Sequence, residues 1–432
     1  MFVRSMWVIL LCCLSVMAQK EDRRRLSSTA FRRAEVVQAN IADARWHVGQ
    51  FYISPIIGFR QIGYDNNVFS TEDNEVNDFS LSPELGIQAF YKPGSRWVWE
   101  NRVSYDYLYY VDLDNLRGSE YSGESRVYGL FKKTYMELGA KYREDRQRLN
   151  SEVDDRINSQ RIAFDGAYSY QPSARSLIAV TAKISSLEYN DTEAQEFLNL
   201  ERDETTVNLR YNYQTSTTLW PFLELEQMDF DFKSPNNPRD NTSFTGIFVG
   251  LRTESTRRLT LEGKVGITRM DFDDIPLVVA GEGGMPTSDP NQLVDLDDDI
   301  FSLEFFMRYK LSRRLYMESS LLNAPIFSGQ TYYNYFVSSK EALELGYETR
   351  RKFRIGPEII YGKNDYRGSF SELETILRED TFKGLNINAT FPFRRIFEWR
   401  LSAGYLERDS NKANDSDKGY QISSTIRYQR AR

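Results

Sequence analysis

A period of two constrains this chain more than any other feature. From Val48 onward, runs of about ten residues alternate apolar and polar side chains, the signature of strands with unlike faces. In Gly419–Tyr428, Tyr420, Ile422, Ser424, Ile426 and Tyr428 share one face, and Gln421, Ser423, Thr425 and Arg427 the other. Phe301–Tyr309 sets Phe301, Leu303, Phe305, Met307 and Tyr309 against Ser302, Glu304, Phe306 and Arg308. Val207–Tyr213, Thr260–Ile267 and Leu385–Phe391 repeat the pattern. A soluble two-sheet sandwich also hides one apolar face, so alternation alone does not separate a sandwich from a membrane barrel.

The connections separate them. Short ones fall at 92–96, 132–134, 171–175, 215–218, 253–257, 311–313, 349–352 and 392–395. Long ones centre on 65–78, 111–119, 145–159, 190–203, 233–242, 273–299, 328–340, 367–380 and 410–418. Eight short and nine long connections join eighteen strands, with both ends on the short-turn side. Outer-membrane barrels have an even strand number, short periplasmic turns and long external loops. Charge sorts the same way. Ser312-Arg313-Arg314 and Arg350-Arg351-Lys352 mark short turns. The loop 65–78 carries Asp65, Glu72, Asp73, Glu75 and Asp78 without a basic residue. The loop 273–299 adds Asp273, Asp274, Glu282, Asp289, Asp295, Asp297, Asp298 and Asp299, again without one. Aromatic residues gather near strand ends: Trp97, Trp99, Tyr107, Tyr109, Tyr110, Tyr168, Tyr170, Tyr211, Tyr213, Trp220, Tyr332, Tyr333 and Trp399. These are expected to form the girdles of a membrane barrel. The mean hydropathy of −0.55 is no objection, because half of each strand faces away from lipid. The expected fold is all-β: a closed antiparallel transmembrane barrel of about eighteen strands over 48–432.

The N-terminus predicts export. Arg4 precedes the apolar run Met6–Ala18, and Val16 and Ala18 supply small residues for cleavage after Ala18. A signal peptide is therefore expected over 1–18. Both cysteines, Cys12 and Cys13, lie inside it, so the mature chain is expected to hold neither a disulfide nor a cysteine-based metal site. The segment 19–47 carries Lys20, Arg23, Arg24, Arg25, Arg32, Arg33 and Arg45 against four acids, with a helix-compatible pattern around Phe31–Ala44. It leaves four readings open: a periplasmic helix, a small lumen plug, a docking tail for a periplasmic export partner, or a disordered lead-in.

The alternation turns many charges toward the lumen. The expected lining is Glu84, Glu100, Arg102, Asp106, Glu137, Lys141, Arg143, Arg161, Asp165, Arg210, Glu224, Glu226, Glu262, Lys264, Glu304, Arg308, Glu318, Glu358, Glu398, Arg400 and Arg427. Both signs occur, which reads as ion-pair networks beside a hydrated path rather than a one-sign ion filter. The same charges would also serve as wall stabilisers alone.

Catalytic chemistry is thin. His47 is the only histidine, which leaves no base within the wall for a serine hydrolase. No GxSxG, P-loop or HExxH pattern occurs. The pair Glu224/Glu226 has the residue types for glycoside hydrolysis but reads first as two lumen acids. Asp295, Asp297, Asp298 and Asp299 lack the glycine and terminal glutamate of an EF-hand. No catalytic residue, cofactor or metal is expected. The expected partners are outer-membrane lipid, lipopolysaccharide bridged by divalent cations, polysaccharide and periplasmic export proteins. Nucleic acid is not among them.

The first strand and loop carry a resemblance. Gly49-Gln50-Phe51-Tyr52-Ile53-Ser54-Pro55 runs through Gly58 to Gly63-Tyr64-Asp65-Asn66-Asn67-Val68-Phe69-Ser70-Thr71, and Phe79-Ser80-Leu81-Ser82-Pro83 follows. This stretch resembles the outer-membrane β-barrel porins often encoded within exopolysaccharide gene clusters. The resemblance implies an outer-membrane, porin-like barrel with a polar path and, in some members, a role in exopolysaccharide export. It brings no catalytic residues. The tail departs from the common terminal aromatic, because Gln429-Arg430-Ala431-Arg432 follows Tyr428. A non-conducting structural or adhesion barrel with working acidic loops is the alternative expectation, and an outer-membrane enzyme the third. Asn66 and Asn67 suit a sharp turn as well as a ligand contact.

Overall fold

The computed structural model describes residues 30–68, 76–147, 157–189, 200–233, 242–253, 258–272, 275–280, 286–294, 297–328, 333–369, 377–393, 397–412 and 416–428. The expected signal peptide and the loop residues Glu72, Asp73, Glu75, Asp273, Asp274, Glu282, Asp295 and Tyr332 lie outside these.

Helix α1 (Ala30–Ala42) is followed by a three-residue strand, β1 (Trp46–Val48). The wall then begins with β2 (Phe51–Asp65), β3 (Asp78–Tyr91), β4 (Trp97–Tyr110), β5 (Gly118–Leu130), β6 (Thr134–Gln147) and β7 (Ile157–Ser173). It continues through β8 (Ser176–Tyr189), β9 (Arg202–Tyr213), β10 (Leu219–Phe232), β11 (Thr242–Thr253) and β12 (Leu259–Asp271). A separate hairpin, β13 (Ile275–Ala280) with β14 (Pro286–Val294), interrupts the wall. The wall closes with β15 (Asp298–Lys310), β16 (Leu315–Phe327), β17 (Tyr333–Glu348), β18 (Arg354–Ser369), β19 (Glu379–Phe393), β20 (Phe397–Ser410) and β21 (Asp417–Tyr428). The main sheet has nineteen strands, and setting aside β1 leaves a closed antiparallel barrel of eighteen. Each strand pairs with its sequence neighbour in the wall, and β2 pairs with β21.

Closure is required because hydrocarbon offers no partner for a free strand edge. Local sequence shapes the closing seam. The Gln50 carbonyl accepts from the Lys92 N–H (3.0 Å), so even-numbered residues at the start of β2 bond toward β3 and odd ones toward the opposite edge. That edge is taken by β1 at Phe51–Ile53 and by β21 from Gly58 upward. Pro55 falls between them, where its missing N–H leaves no donor to satisfy. At Gly58 the approach is so close that a Cβ would stand 2.1 Å from the Ile426 carbonyl oxygen.

The two faces carry unlike residues. On β3, Leu85 and Ile87 are 58% and 45% exposed, while Ser80, Ser82 and Glu84 at the alternate positions are buried. A soluble fold would invert that order. Apolar out and polar in is the order of a barrel in lipid. Trp97, Trp99, Tyr107, Tyr109, Tyr168, Tyr170, Tyr211, Tyr213 and Trp399 are exposed on the outer face, as girdle residues should be. The wall strands run from 12 to 17 residues, beyond the 9–11 or so that a tilted strand needs to span.

Three expectations are corrected. Tyr110 and Tyr333 are buried and outside the girdles, and Trp220 shares the inner face with Phe222 and Glu224. Tyr109 and Tyr110 are consecutive, so a strand cannot point both outward. The 273–299 connection contains the β13–β14 hairpin, for which Ile275-Pro276-Leu277-Val278-Val279 supplies an apolar, β-branched run. Residues 333–340 belong to β17 rather than to an external loop.

Replacing Gly58 by Val should prevent closure, because the Ile426 backbone cannot move aside without opening the seam. Heat-modifiable migration on SDS gels checks this. Gly58→Val should lose most of the fast-migrating folded band. Gly123→Ala, where nothing lies within 4 Å of the new Cβ, should keep it.

Candidate functional site: the barrel lumen

The polar face is the concave one. The Arg60 side chain on β2 reaches Asp106 on β4 (2.8 Å) and Glu120 on β5, and only side chains converging inside a closed wall meet across so many strands. The register puts every residue of the expected lining on this face. They gather into networks. On β5–β7, Arg126 binds Glu124 (2.8 Å), Glu137 and Asp165 (2.6 Å), and the Tyr135 hydroxyl donates to Glu137 (2.6 Å). On β9–β15, Glu224 takes both Arg210 and Lys264 (2.6 Å to the lysine). Arg210 also pairs with Glu262 (2.8 Å), and Lys264 lies 3.5 Å from Glu226 and 3.9 Å from Glu304. The same two cations sit over the Phe222 and Phe248 rings at 4.1 and 4.2 Å, a further attraction in a partly desolvated wall.

Smaller sets complete the face. Arg308 pairs with Glu318 (3.1 Å) and Glu348 (3.3 Å). Glu358 accepts from Asn386 and Asn388. Arg400 pairs with Glu398 (2.5 Å). Glu84 is shared by Arg427 (3.2 Å) and Arg102 (3.9 Å). Glu100 accepts from Gln88 and Tyr128, Arg143 pairs with Asp145, and Arg161 approaches Glu204 (4.0 Å). Glu224 and Glu226 are thus held by cations, which is a structural use for that carboxylate pair. Asp298 is engaged by the Tyr335 hydroxyl (2.6 Å) and Arg367 (3.2 Å). Among the described residues no group of three potential ligands is placed to hold a metal.

Sequence reasoning missed Arg60, Glu120, Arg126, Asp145 and Glu204. Arg60 was hidden because a β-bulge between Phe59 and Gln61 inserts a residue and breaks the period-two count. On β5 the outer positions Gly123, Ser125 and Gly129 are small, so the alternation that would have flagged Glu120 and Arg126 is faint.

Near the short-turn end, α1 lies inside the barrel. Its Val37 and Ile41 join Phe90, Val98, Tyr128 and Tyr135 in one buried cluster. Those four wall residues alternate in step with Glu84, Glu100, Arg126 and Glu137, so the helix sits on the lumen side. Near the long-loop end the wall opens between β15 and β16, while β17 stays paired with β18 up to Tyr333–Ser369. Pairing of β15 with β16 stops at Leu303–Asn323, while β16 and β17 stay paired up to Phe327–Tyr335. Lower on β17, Leu343 and Leu345 are exposed on the outer face. Higher on the same strand, Tyr335 and Val337 pack with the inner-face residues Phe244, Met270 and Ile300. Phe327 meets the Phe230, Phe232 and Phe244 rings at 4.6, 5.4 and 5.0 Å. One strand face can touch lipid below and the inner face of β10–β15 above only if the hairpin bends inward over that neighbouring part of the wall. Tyr333–Val337 is accordingly buried on both faces.

Besides these two obstructions, the inner face holds a recess of about 230 Å³ on β3–β6. Its wall toward the long loops holds Glu84, Asp106, Glu120 and Arg60. Ser104 and Ser122 form its floor, and Arg102, Lys141, Arg143, Glu124, Glu144 and Arg427 of β21 supply the other charged groups of the lining. The two serine hydroxyls are 2.6 Å apart.

The Asp65–Val68 turn has a structural role. Asp65 accepts from the Asn67 N–H (2.8 Å), an Asx turn that drives Val68 into a cluster with Leu108, Tyr110 and Leu116. Asp78 is not a solvated loop acid: it is buried and accepts from the Val111, Asp112 and Leu113 amides.

A closed eighteen-strand barrel with an apolar exterior and a charged interior defines an outer-membrane protein. The family model described as "Putative beta-barrel porin 2" matches residues 46–279, and the chain belongs to that family. No curated protein sequence matches it. Among solved structures it is similar to the outer membrane protein OpdK from Pseudomonas aeruginosa. That match has 10% identity and a TM-score of 0.50, and covers 87% of this chain and 97% of the other. It is also similar to the FrpB iron transporter from Neisseria meningitidis, at 6% identity and a TM-score of 0.47, covering 90% and 82%. At such identities the likeness speaks for the fold alone.

Arg126→Met should strand Glu137 and Asp165, which are 1% and 11% exposed. Removing one partner of a buried pair costs about 3–5 kcal/mol. Urea unfolding in lipid vesicles should show a loss of that order. Adding Glu137→Gln and Asp165→Asn to the same chain should restore part of it.

Proposed function

We propose that the protein is a gated passage for a polar solute across the outer membrane, and that the solute is a saccharide chain leaving the cell. The observation that carries the reading is the set of ion-pair networks around the inner face, with a polar recess on the same face as the inward helix and hairpin. Membership of a porin family supports transport as the class. The resemblance of the Gly49–Pro83 stretch to porins encoded with exopolysaccharide genes supports the saccharide and the direction. The obstructions also suit a non-conducting structural barrel, which makes conductance the deciding measurement.

In planar bilayers the intact protein should show small or intermittent conductance. Val37→Glu with Ile41→Glu would place two carboxylates against Phe90, Val98, Tyr128 and Tyr135 and should release the helix. Conductance should then rise several-fold and become steady. A barrel that stays closed in this variant, and also when Phe327→Asp loosens the hairpin, is a structural or adhesion barrel. Loss of surface polysaccharide in a strain lacking the protein, restored by the intact gene, checks the cargo.

A further inference from the structure

The recess on β3–β6 has the chemistry of a ligand subsite. We propose that it binds one neutral, polyhydroxylated sugar unit. The inference rests on the passage reading and names the class of solute that would pause there.

The lining is close to charge balance. Carboxylates at Glu84, Asp106, Glu120, Glu124 and Glu144 stand against cations at Arg60, Arg102, Lys141, Arg143 and Arg427. A charged ligand would unbalance ion pairs already made, such as Arg60 with Asp106 and Arg143 with Asp145. A neutral ligand leaves them intact. Donors and acceptors are interleaved around the space: Arg60 stands among Glu84, Asp106 and Glu120, and Glu124 and Glu144 among Arg102, Lys141 and Arg143. Carboxylates only accept, guanidinium and ammonium groups only donate, and the serine hydroxyls do both. A ligand in such a space needs groups that each donate and accept, which is the property of a ring of hydroxyls. Size agrees. About 230 Å³ is below the roughly 300–1,000 Å³ of pockets for drug-sized ligands, so one ring is accommodated rather than several. The floor is kept low by sequence: Ser104 and Ser122 are small, and at the neighbouring position Gly86 a Cβ would stand 2.4 Å from the Val103 carbonyl oxygen. No larger side chain fills the space.

The test is calorimetric titration of the detergent-purified, full-length barrel with maltotriose, cellotriose and mannotriose, and with glucuronate and arginine as charged probes. At least one neutral trisaccharide should bind saturably. Ser104→Val with Ser122→Val should weaken it at least ten-fold while the folded band on SDS gels is retained. If that pair does not fold, Lys141→Met on the rim should weaken binding three-fold or more. Binding of glucuronate or arginine but of no neutral sugar overturns the proposal in favour of an ionic ligand. Sugar binding that survives the recess variants overturns it by placing the sugar elsewhere, and absence of binding by all five probes overturns it outright. Binding in detergent needs no conduction. A barrel that binds but never conducts would therefore refute the passage alone, and one that conducts but does not bind would refute the subsite alone.

Discussion

Everything in this molecule follows from the inability of hydrocarbon to hydrogen-bond a backbone. A sheet in that solvent must close, and here it closes where β2 meets β21. Both specialised residues at that seam answer the constraint. Pro55 removes a donor at the interval between β1 and β21, and Gly58 admits the Ile426 carbonyl where a side chain would block it. Closure also creates the lumen. Once the apolar faces are committed to lipid, every second residue is turned inward. The polar half of the sequence has nowhere else to go.

That necessity explains why the wall was legible in the sequence and why other parts were not. Period two reports which residues share a face, so the eighteen strands, the alternating connections and the inward charges could be read from residue types alone. It does not report the path of the sheet. Nothing in the alternation of Leu343 and Leu345 foretells that the same face, at Tyr335 and Val337, meets Phe244 on the inner face of β11, four strands away. The signal that existed was a lapse of pattern: Tyr332-Tyr333-Asn334-Tyr335-Phe336-Val337 has apolar residues on both faces, which a strand facing lipid and water has no reason to carry. Arg60 escaped for a related reason, since a bulge shifts the count by one. Asp78 escaped because acidic composition says nothing about whether a carboxylate is solvated or spent on three backbone amides.

The inner face holds its charges in pairs. Arg126 with three acids and Glu224 with two cations leave little net field of either sign, so the inner face is not a one-sign ion filter. Such pairs are costly to break singly and nearly neutral to keep, which makes the wall a fixed frame. Motion has to come from elements that are not part of this network.

The two obstructions differ in that respect. Helix α1 is anchored through Val37 and Ile41. Burying one such side chain is worth about 1.5–3 kcal/mol, and ordering the helix consumes part of that gain. The inward hairpin is covalently continuous with two wall strands. It sets Phe327, Tyr335 and Val337 into a larger aromatic cluster and adds the Asp298 contacts with Tyr335 and Arg367. Arg202 stands over both the Phe232 and Phe327 rings. Displacing the hairpin would forfeit all of these together and would also strip β16 and β17 of their packing. The helix holds to the wall mainly through one cluster and is joined to it by the short strand β1. On the gated-passage reading, the short-turn mouth, where the helix sits, is the end that opens, and the hairpin is the constriction that stays.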